Sequence, residues 1–427
     1  MLTEQDHSFM RILFFTENFP PETNAAATRV YERAVYWVRW GHEVTVITTA
    51  PNFPQGNIFE GYSNRLYQTE IDDGIRVVRV WSFVAKNEGV VWRIVDFFSF
   101  MVASFIAGLF EKRPDIVVST SPQLFCAVGA WALAAVRRLP YVFELADLWP
   151  ASVTAVGAMR PGLLLRNAER LELFLYRRSD CIVALTKAFR EDLTARGIPE
   201  GKIAMVLNGV DLSRHPPMSR DNSLAAELGL AGKFVVGYIG THGMAHALEN
   251  VLEVADRLRH HDDLRFLFVG GGATKGKLVR ETARRGLLSV IFVAPVPKAK
   301  VPAYWSLCDV ALVHLKDDKV FESVIPSKIF EAMGVGLPVL LAAPAGEASA
   351  IVGAEGVGLC VPAEEPGALA AAVLDLRDHP DRRAAFTRAS HAAAPRYSRE
   401  RQASEMMRAL EAVLDGDGWR VKEVLNQ

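Results

Sequence analysis

The sequence predicts an α/β protein built of two doubly wound halves, each a parallel sheet flanked by helices. Three observations carry that expectation. Residues 11–48 pass from a short apolar run through a helical pattern to a second apolar run. The same alternation restarts at Phe234. Between the two lie Asn208-Gly209-Val210-Asp211 and then Pro216-Pro217, a turn and a proline-bearing stretch that mark a domain boundary. Length agrees, since 427 residues suit two or three domains. Half the residues are hydrophobic and 23% are charged, so a large core is available and disorder is not expected.

Charge and cysteines narrow the function. A net charge of -1 and a pI near 6.8 give no basic field for nucleic acid. Cys126, Cys181, Cys308 and Cys360 are far apart and form no CxxC, which argues against zinc and a disulfide framework and for a reducing cytoplasm. Residues 1–9 are polar, lack the basic and apolar regions of a signal peptide, and read as a dispensable extension before Met10.

The first strand is predicted at 11–16, a loop at 17–24, a helix at 25–40 and a second strand at 42–48. No glycine stands in that first turn, which excludes the GxGxxG fingerprint of NAD and FAD sites. A rigid loop at 51–56 and a strand at 75–81 follow. Residues 90–110 are the most apolar run, close to the roughly 20 residues that span a bilayer. Arg93 and Asp96 interrupt it, and it leads straight into a strand at 114–119. It therefore reads as a crossover helix, either fully buried or with an aromatic face on a membrane surface.

A helix at 121–137 and a strand at 140–144 come next. Glu144, Asp147, Trp149 and Pro150 follow at the carboxyl end of that strand, where open α/β sheets bind ligands. Two carboxylates three residues apart suit acid–base or charge-stabilising work. Helix capping or a structural ion pair is the other reading. Residues 161–178 alternate leucine and arginine, for an anionic lipid surface or for a solvated face. Strands at 181–186 and 203–207 complete the first half.

In the second half, a strand at 234–240 ends in Gly240-Thr241-His242-Gly243. Glycines between a strand and a helix let the backbone cradle a phosphate. Strands follow at 264–269, ended by Gly270-Gly271-Gly272, and at 290–293, ahead of Pro295-Val296-Pro297-Lys298. The turn Ile325-Pro326-Ser327-Lys328-Ile329-Phe330-Glu331 opens a helix, and the chain then passes through Gly336-Leu337-Pro338 to another strand at 338–342. Ser327 is expected to cap that helix through its hydroxyl. Its N-terminus favours an anion, Lys328 adds a full charge, and Glu331 one turn on can accept from two hydroxyls. Phosphate and a diol together describe a nucleoside diphosphate with its ribose. A last helix is predicted at 398–414.

Taken in order, NGVD, GTHG and the stretch from PSKIFE to GLPV resemble the retaining glycosyltransferases of family 4, over nearly the whole chain. The resemblance implies the GT-B fold, with two Rossmann-like domains facing across a cleft. It divides the chain into an acceptor domain at 1–211, a nucleotide-sugar domain at 212–397 and a helix at 398–427 crossing back to the first. It implies donor binding by Gly240, Thr241, His242, Gly243, His246, Gly271, Pro295, Val296, Ser327, Lys328 and Glu331. Thr241 and His246 stand where the family often has arginine and lysine. Ser323 stands where the first of two paired glutamates is usual, with Glu322 beside it. Asn24 and Ala25 fall in the acceptor-side loop.

Catalytic roles fall to Glu144, Asp147 and His242, with Glu144 beside a donor or acceptor hydroxyl and His242 supplying a proton or hydrogen bond. The segment 144–150 also resembles the surface-polysaccharide branch of the family. The implied activity is transfer from a UDP-sugar, an amino or deoxyamino sugar among the candidates, to a lipid-linked saccharide. No metal and no nucleic acid are expected, and the protein is placed in the cytoplasm, peripheral to the inner face of the plasma membrane. A UDP-sugar 2-epimerase of the same fold and a non-catalytic GT-B partner protein are the rival readings.

Overall fold

The computed structural model describes residues 8–53, 56–84, 90–121, 123–147 and 162–416. Of the positions read above, residues 1–7, Pro54, Gln55, Pro122, Leu148, Trp149, Pro150, Pro161 and residues 417–427 lie outside them. The chain forms two compact units, Met1–Leu207 with Glu400–Gln427, and Asn208–Arg399. The expected division after 211 moves back to 207 because the NGVD turn is tied to the second unit. Val210 N donates to Tyr397 O at 2.9 Å, Arg399 N donates to Val210 O at 2.7 Å, and Arg399 Nη1 donates to Asn208 Oδ1 at 2.9 Å.

The first unit holds β1 (Arg11–Phe15), β2 (Glu43–Thr49), β3 (Tyr67–Asp72), β4 (Ile75–Val80), β5 (Ile116–Thr120), β6 (Tyr141–Leu145), β7 (Cys181–Ala184) and β8 (Ile203–Met205). Their order is β3-β4-β2-β1-β5-β6-β7-β8. All pairs are parallel except β3 with β4. The inner strands are near-continuous apolar runs because helices cover both faces. On one face Phe100, Leu133 and Tyr176 join the core from three helices, Val90–Phe110, Leu124–Arg137 and Leu163–Arg178. On the other, Trp37 of Ala25–Arg39 packs with Met406 and Leu410 of Arg399–Leu414, and its indole N–H donates to Ala403 O at 3.0 Å.

The second unit holds β9 (Phe234–Ile239), β10 (Leu264–Val269), β11 (Val290–Val293), β12 (Val310–His314), β13 (Val339–Ala342) and β14 (Gly358–Val361). Its sheet runs β11-β10-β9-β12-β13-β14, parallel throughout. In each sheet the winding reverses once, between β1 and β5 and between β9 and β12. Ligands of doubly wound sheets bind at the carboxyl ends of such strands.

Candidate functional site

In the second unit three loops converge on the end of β9. Gly240 has φ +139°, and a Cβ there would lie 2.5 Å from Lys328 Cε. Gly270 has φ +140°, and its Cβ would lie 2.0 Å from Gly240 O. Only glycine tolerates both the backbone angle and the approach. His242 N donates to Gly271 O at 2.8 Å, and Thr274 donates to His242 O through its amide at 3.0 Å and its hydroxyl at 2.9 Å. Lys275, the first residue of helix Lys275–Arg285, donates Nζ to Gly270 O at 2.6 Å and to Val293 O at 2.7 Å. It pins the glycine run to the end of β11, just before exposed Pro295 and half-buried Val296. Gly271 also lies beside Pro295, since a Cβ there would be 2.9 Å from Pro295 Cγ.

Helix Lys328–Val335 brings its N-terminus to the same turn. Lys328 Nζ lies 5.0 Å from the Tyr238 ring centroid, and Tyr238 donates its hydroxyl to Thr241 O at 2.7 Å. Burial pushes the Lys328 ammonium down to about 8, against the pull of Glu331. Glu331 is half-buried one turn further on, while Thr241 is exposed and Gly243 half-buried. The expected Ser327 cap is corrected. Ser327 has helical angles (φ -58°, ψ -24°) and no side-chain capping bond, whereas a capping hydroxyl needs an extended residue. Its carbonyl instead accepts from Phe330 N at 3.0 Å and Glu331 N at 3.1 Å.

The role of His242 as a proton donor is also corrected. Its ring is fully buried, with centroids 5.8 Å from Tyr238, 6.0 Å from Phe268 and 6.2 Å from Phe292. Neither ring nitrogen has a hydrogen-bond partner among the described residues. Burial, then the charges of Lys275 and Lys328, push it down to about 4. A buried neutral imidazole is no general acid at neutral pH, though it keeps one ring N–H to donate and one nitrogen to accept a hydrogen bond. His246 sits with Nδ1 3.2 Å from His314 O; burial and Lys328 push it to about 3, and burial takes His314 to about 4.

These histidines set a pH dependence. Their folded pKa values lie below the unfolded value of about 6.5, so between these limits the unfolded chain binds more protons. The histidines' contribution to the stability of the second unit is therefore full above about 6.5 and falls as pH drops toward 4 and 3. Urea midpoints at pH 7, 5.5 and 4.5 should decline in that order, and His242→Phe should flatten the decline. An unchanged midpoint across the range counts against the buried neutral ring.

In the first unit the sequence-derived candidates have structural partners. Glu144 has no exposed surface and is bound by Arg33 Nη1 at 2.7 Å and Arg29 Nε at 3.3 Å. Burial alone raises its carboxyl, but Arg33 and Arg29 overcome this and hold it at about 2. It is a fixed internal anion, and its expected place beside a substrate hydroxyl is corrected. Asp147 is half-buried, and its amide donates to Ser121 Oγ at 3.3 Å. Asn24 uses Oδ1 to accept from Ala27 N at 2.9 Å, an N-cap for Ala25–Arg39; Ala25 is exposed.

Sequence reasoning passed over two acids in the loop after β1. Glu17 is buried, and burial, then Asp96 and Glu22, push its carboxyl well up. Glu22 Oε1 accepts from Asn52 N and Phe53 N, both at 2.8 Å, and so joins that loop to the one after β2. Their position directly past the first strand, next to the reversal of winding, was the available signal. Lys275 was passed over too, because one of its two carbonyl partners, Val293 O, is brought close only by the sheet.

Residues 24–209 match the family described as Glycosyl transferase 4-like domain, and residues 233–379 match Glycosyl transferases group 1. The chain is 28% identical over 377 residues to the colanic acid biosynthesis glycosyl transferase WcaI of Escherichia coli K12, covering 85% of this chain and 91% of that protein. It is 29% identical over 359 residues to a GDP-mannose-dependent alpha-mannosyltransferase of Mycobacterium tuberculosis, covering 83% and 85%. Among solved structures, HepE of Anabaena in complex with UDP-glucose superposes with a TM-score of 0.72 at 17% identity, over 94% of this chain and all of that one.

Proposed function

We propose that this chain, whose two halves match glycosyltransferase families and which has relatives in polysaccharide biosynthesis and the GT-B fold, transfers a sugar from a UDP-sugar to a lipid-linked saccharide, with retention and without a metal. One observation carries the donor half: Lys328, at a helix N-terminus, lies against the Gly240 turn at the reversal of the second sheet. In this reading Lys328, the Ser327 hydroxyl and the backbone N–H groups of Thr241 and Gly243 take the diphosphate. Glu331 accepts from the ribose hydroxyls, and Gly271, Pro295 and Val296 border the base. When the anomeric carbon–oxygen bond breaks, its electron pair leaves on the diphosphate. Preorganised donors aimed at that charge supply the main rate effect.

The acceptor falls to the first unit, at the carboxyl end of β1, where Glu17, Glu22 and Asn24 surround the loop. The protein then works in the cytoplasm, peripheral to the inner face of the membrane that holds its acceptor. HepE supports UDP as the nucleotide; the mannosyltransferase relative favours a second reading, GDP.

Thermal unfolding with UDP, GDP or neither, each with and without EDTA, decides. A ligand at about 100 times its dissociation constant stabilises by about 2.7 kcal/mol. The expected result is a rise with UDP that EDTA leaves alone. A larger rise with GDP moves the donor to the second reading, and no rise with either overturns the site. A UDP-sugar turned over to its epimer with no acceptor present overturns the transfer.

A further inference from the structure

We infer that helix Val90–Phe110 docks the first unit in the plane of an anionic bilayer surface, as a monotopic contact and not a span. The inference deepens the proposed membrane-side function but rests on a separate surface. The segment Trp92–Phe110 is, among the described residues, long and apolar enough by composition to cross a membrane, with a mean hydropathy of 1.7. Only 28% of it is buried. Its two faces separate cleanly. Phe100, Ser104 and Ala107 are at most 5% exposed and point into the sheet. Trp92, Val95, Phe98, Val102, Ile106 and Leu109 recur at three- and four-residue steps and are 38% to 56% exposed, and Phe110 ends the row at 82%. An apolar helical stripe of this length facing outward marks an interaction surface.

The inner face excludes spanning. A Cβ on Gly108 would lie 2.5 Å from Leu133 Cδ2 and 3.3 Å from Phe15 Cζ. A Cβ on Gly129 would lie 3.0 Å from Met101 O and 3.2 Å from Ser104 Oγ. Arg137 of the neighbouring helix donates to the helix's final carbonyls, Gly108 O at 2.9 Å and Glu111 O at 3.0 Å. Helix and sheet are thus packed backbone-close, and β1 and β5 lie on the covered face. Drawing the helix across a bilayer would strip that core.

Charge selects the occupant. Arg93 near the start, and Lys112 and Arg113 just past the end, are exposed. The acids of the same stretch turn inward: Asp96 is 7% exposed, and Glu111 is 8% exposed and paired with Arg76 at 3.1 Å. Exposed Arg166 and Arg170 lie on Leu163–Arg178, which packs on the same Leu124–Arg137 helix, with exposed Glu169 between them. An apolar stripe with cationic ends fits acyl chains below anionic headgroups. A second copy of the chain would bring like charges together at both ends.

Flotation of the full chain with phosphatidylcholine vesicles, with and without 30% phosphatidylglycerol by design, tests this at about 0.1 M salt. Binding is expected to the anionic vesicles and to weaken as salt is raised. Phe98→Ser with Ile106→Ser should lower the bound fraction about tenfold. Lys112→Glu with Arg113→Glu should lower binding to anionic vesicles only. These exposed substitutions should leave the melting temperature and the UDP-induced rise unchanged, so loss of vesicle binding and loss of the donor site are read apart. Equal binding by wild type and the Phe98/Ile106 variant overturns the inference. So does a lipid-free dimer in light scattering that the variant dissociates, and so does membrane protein that resists alkaline carbonate extraction.

Discussion

Replacing Lys328 by alanine is expected to weaken binding of the nucleoside diphosphate roughly 10- to 100-fold, the equivalent of one charge-assisted bond of about 1.5–3 kcal/mol. Turnover should fall further, by about 100-fold or more, because the lysine meets charge that grows as the diphosphate leaves. The side chain has little freedom to be replaced by a neighbour. It threads between Gly240 and the Tyr238 ring, and the positions where the family it resembles often carries cations hold Thr241 and a half-buried neutral His246. Its lowered pKa of about 8 supplies a second readout. Below pH 8 the free protein carries the ammonium, and above it the ammonium is lost. Affinity should therefore fall as pH rises through 8, and binding near pH 8 should take up a proton from the buffer. Titration calorimetry in two buffers of different ionisation enthalpy measures that proton; Lys328→Ala should abolish it. Uptake that persists in the variant assigns the proton to another group and removes Lys328 from the site.

What the sequence revealed was local. The β-α-β openings, the glycine turns and the PSK turn each rest on residues within about one element of each other, where periodicity and turn chemistry operate. The misses are long-range. β3, Tyr67–Asp72, is polar at alternate positions and antiparallel at the sheet edge, so nothing in its composition announces a strand. The His242 ring reads as a source of a proton because its neighbours in sequence are glycines and threonine. The fold instead puts Phe268 and Phe292 beside it, from two other strands. Lys275 reads as a surface lysine until β10 and β11 bring Gly270 O and Val293 O within reach. Glu144 shows the same limit most sharply, since its partners lie more than a hundred residues earlier.

Glu144→Ala is expected to destabilise the first unit by about 3–5 kcal/mol, because it leaves two arginines beneath the sheet without their anion. Arg33 has no exposed surface and is held over Phe14 and Trp37, at 5.6 and 5.1 Å from their ring centroids, so it cannot turn to water. Arg29 is 4% exposed and donates its other arm to Thr120 Oγ1 at 3.1 Å. The helix Ala25–Arg39 is thereby riveted to the ends of β5 and β6. Linkage gives the pH sign. The folded pKa of about 2 lies below the unfolded carboxylate value of 4.5, so the contribution is complete above 4.5 and disappears as pH falls toward 2. Urea unfolding followed by near-ultraviolet dichroism should show the midpoint of the wild type falling across that window, and Glu144→Ala starting low and falling less. Glu144→Gln, which keeps the shape and one acceptor, should retain turnover per folded molecule within a few-fold. A catalytic carboxylate predicts the reverse: a stable glutamine variant with turnover lost, and no acid-linked change in stability.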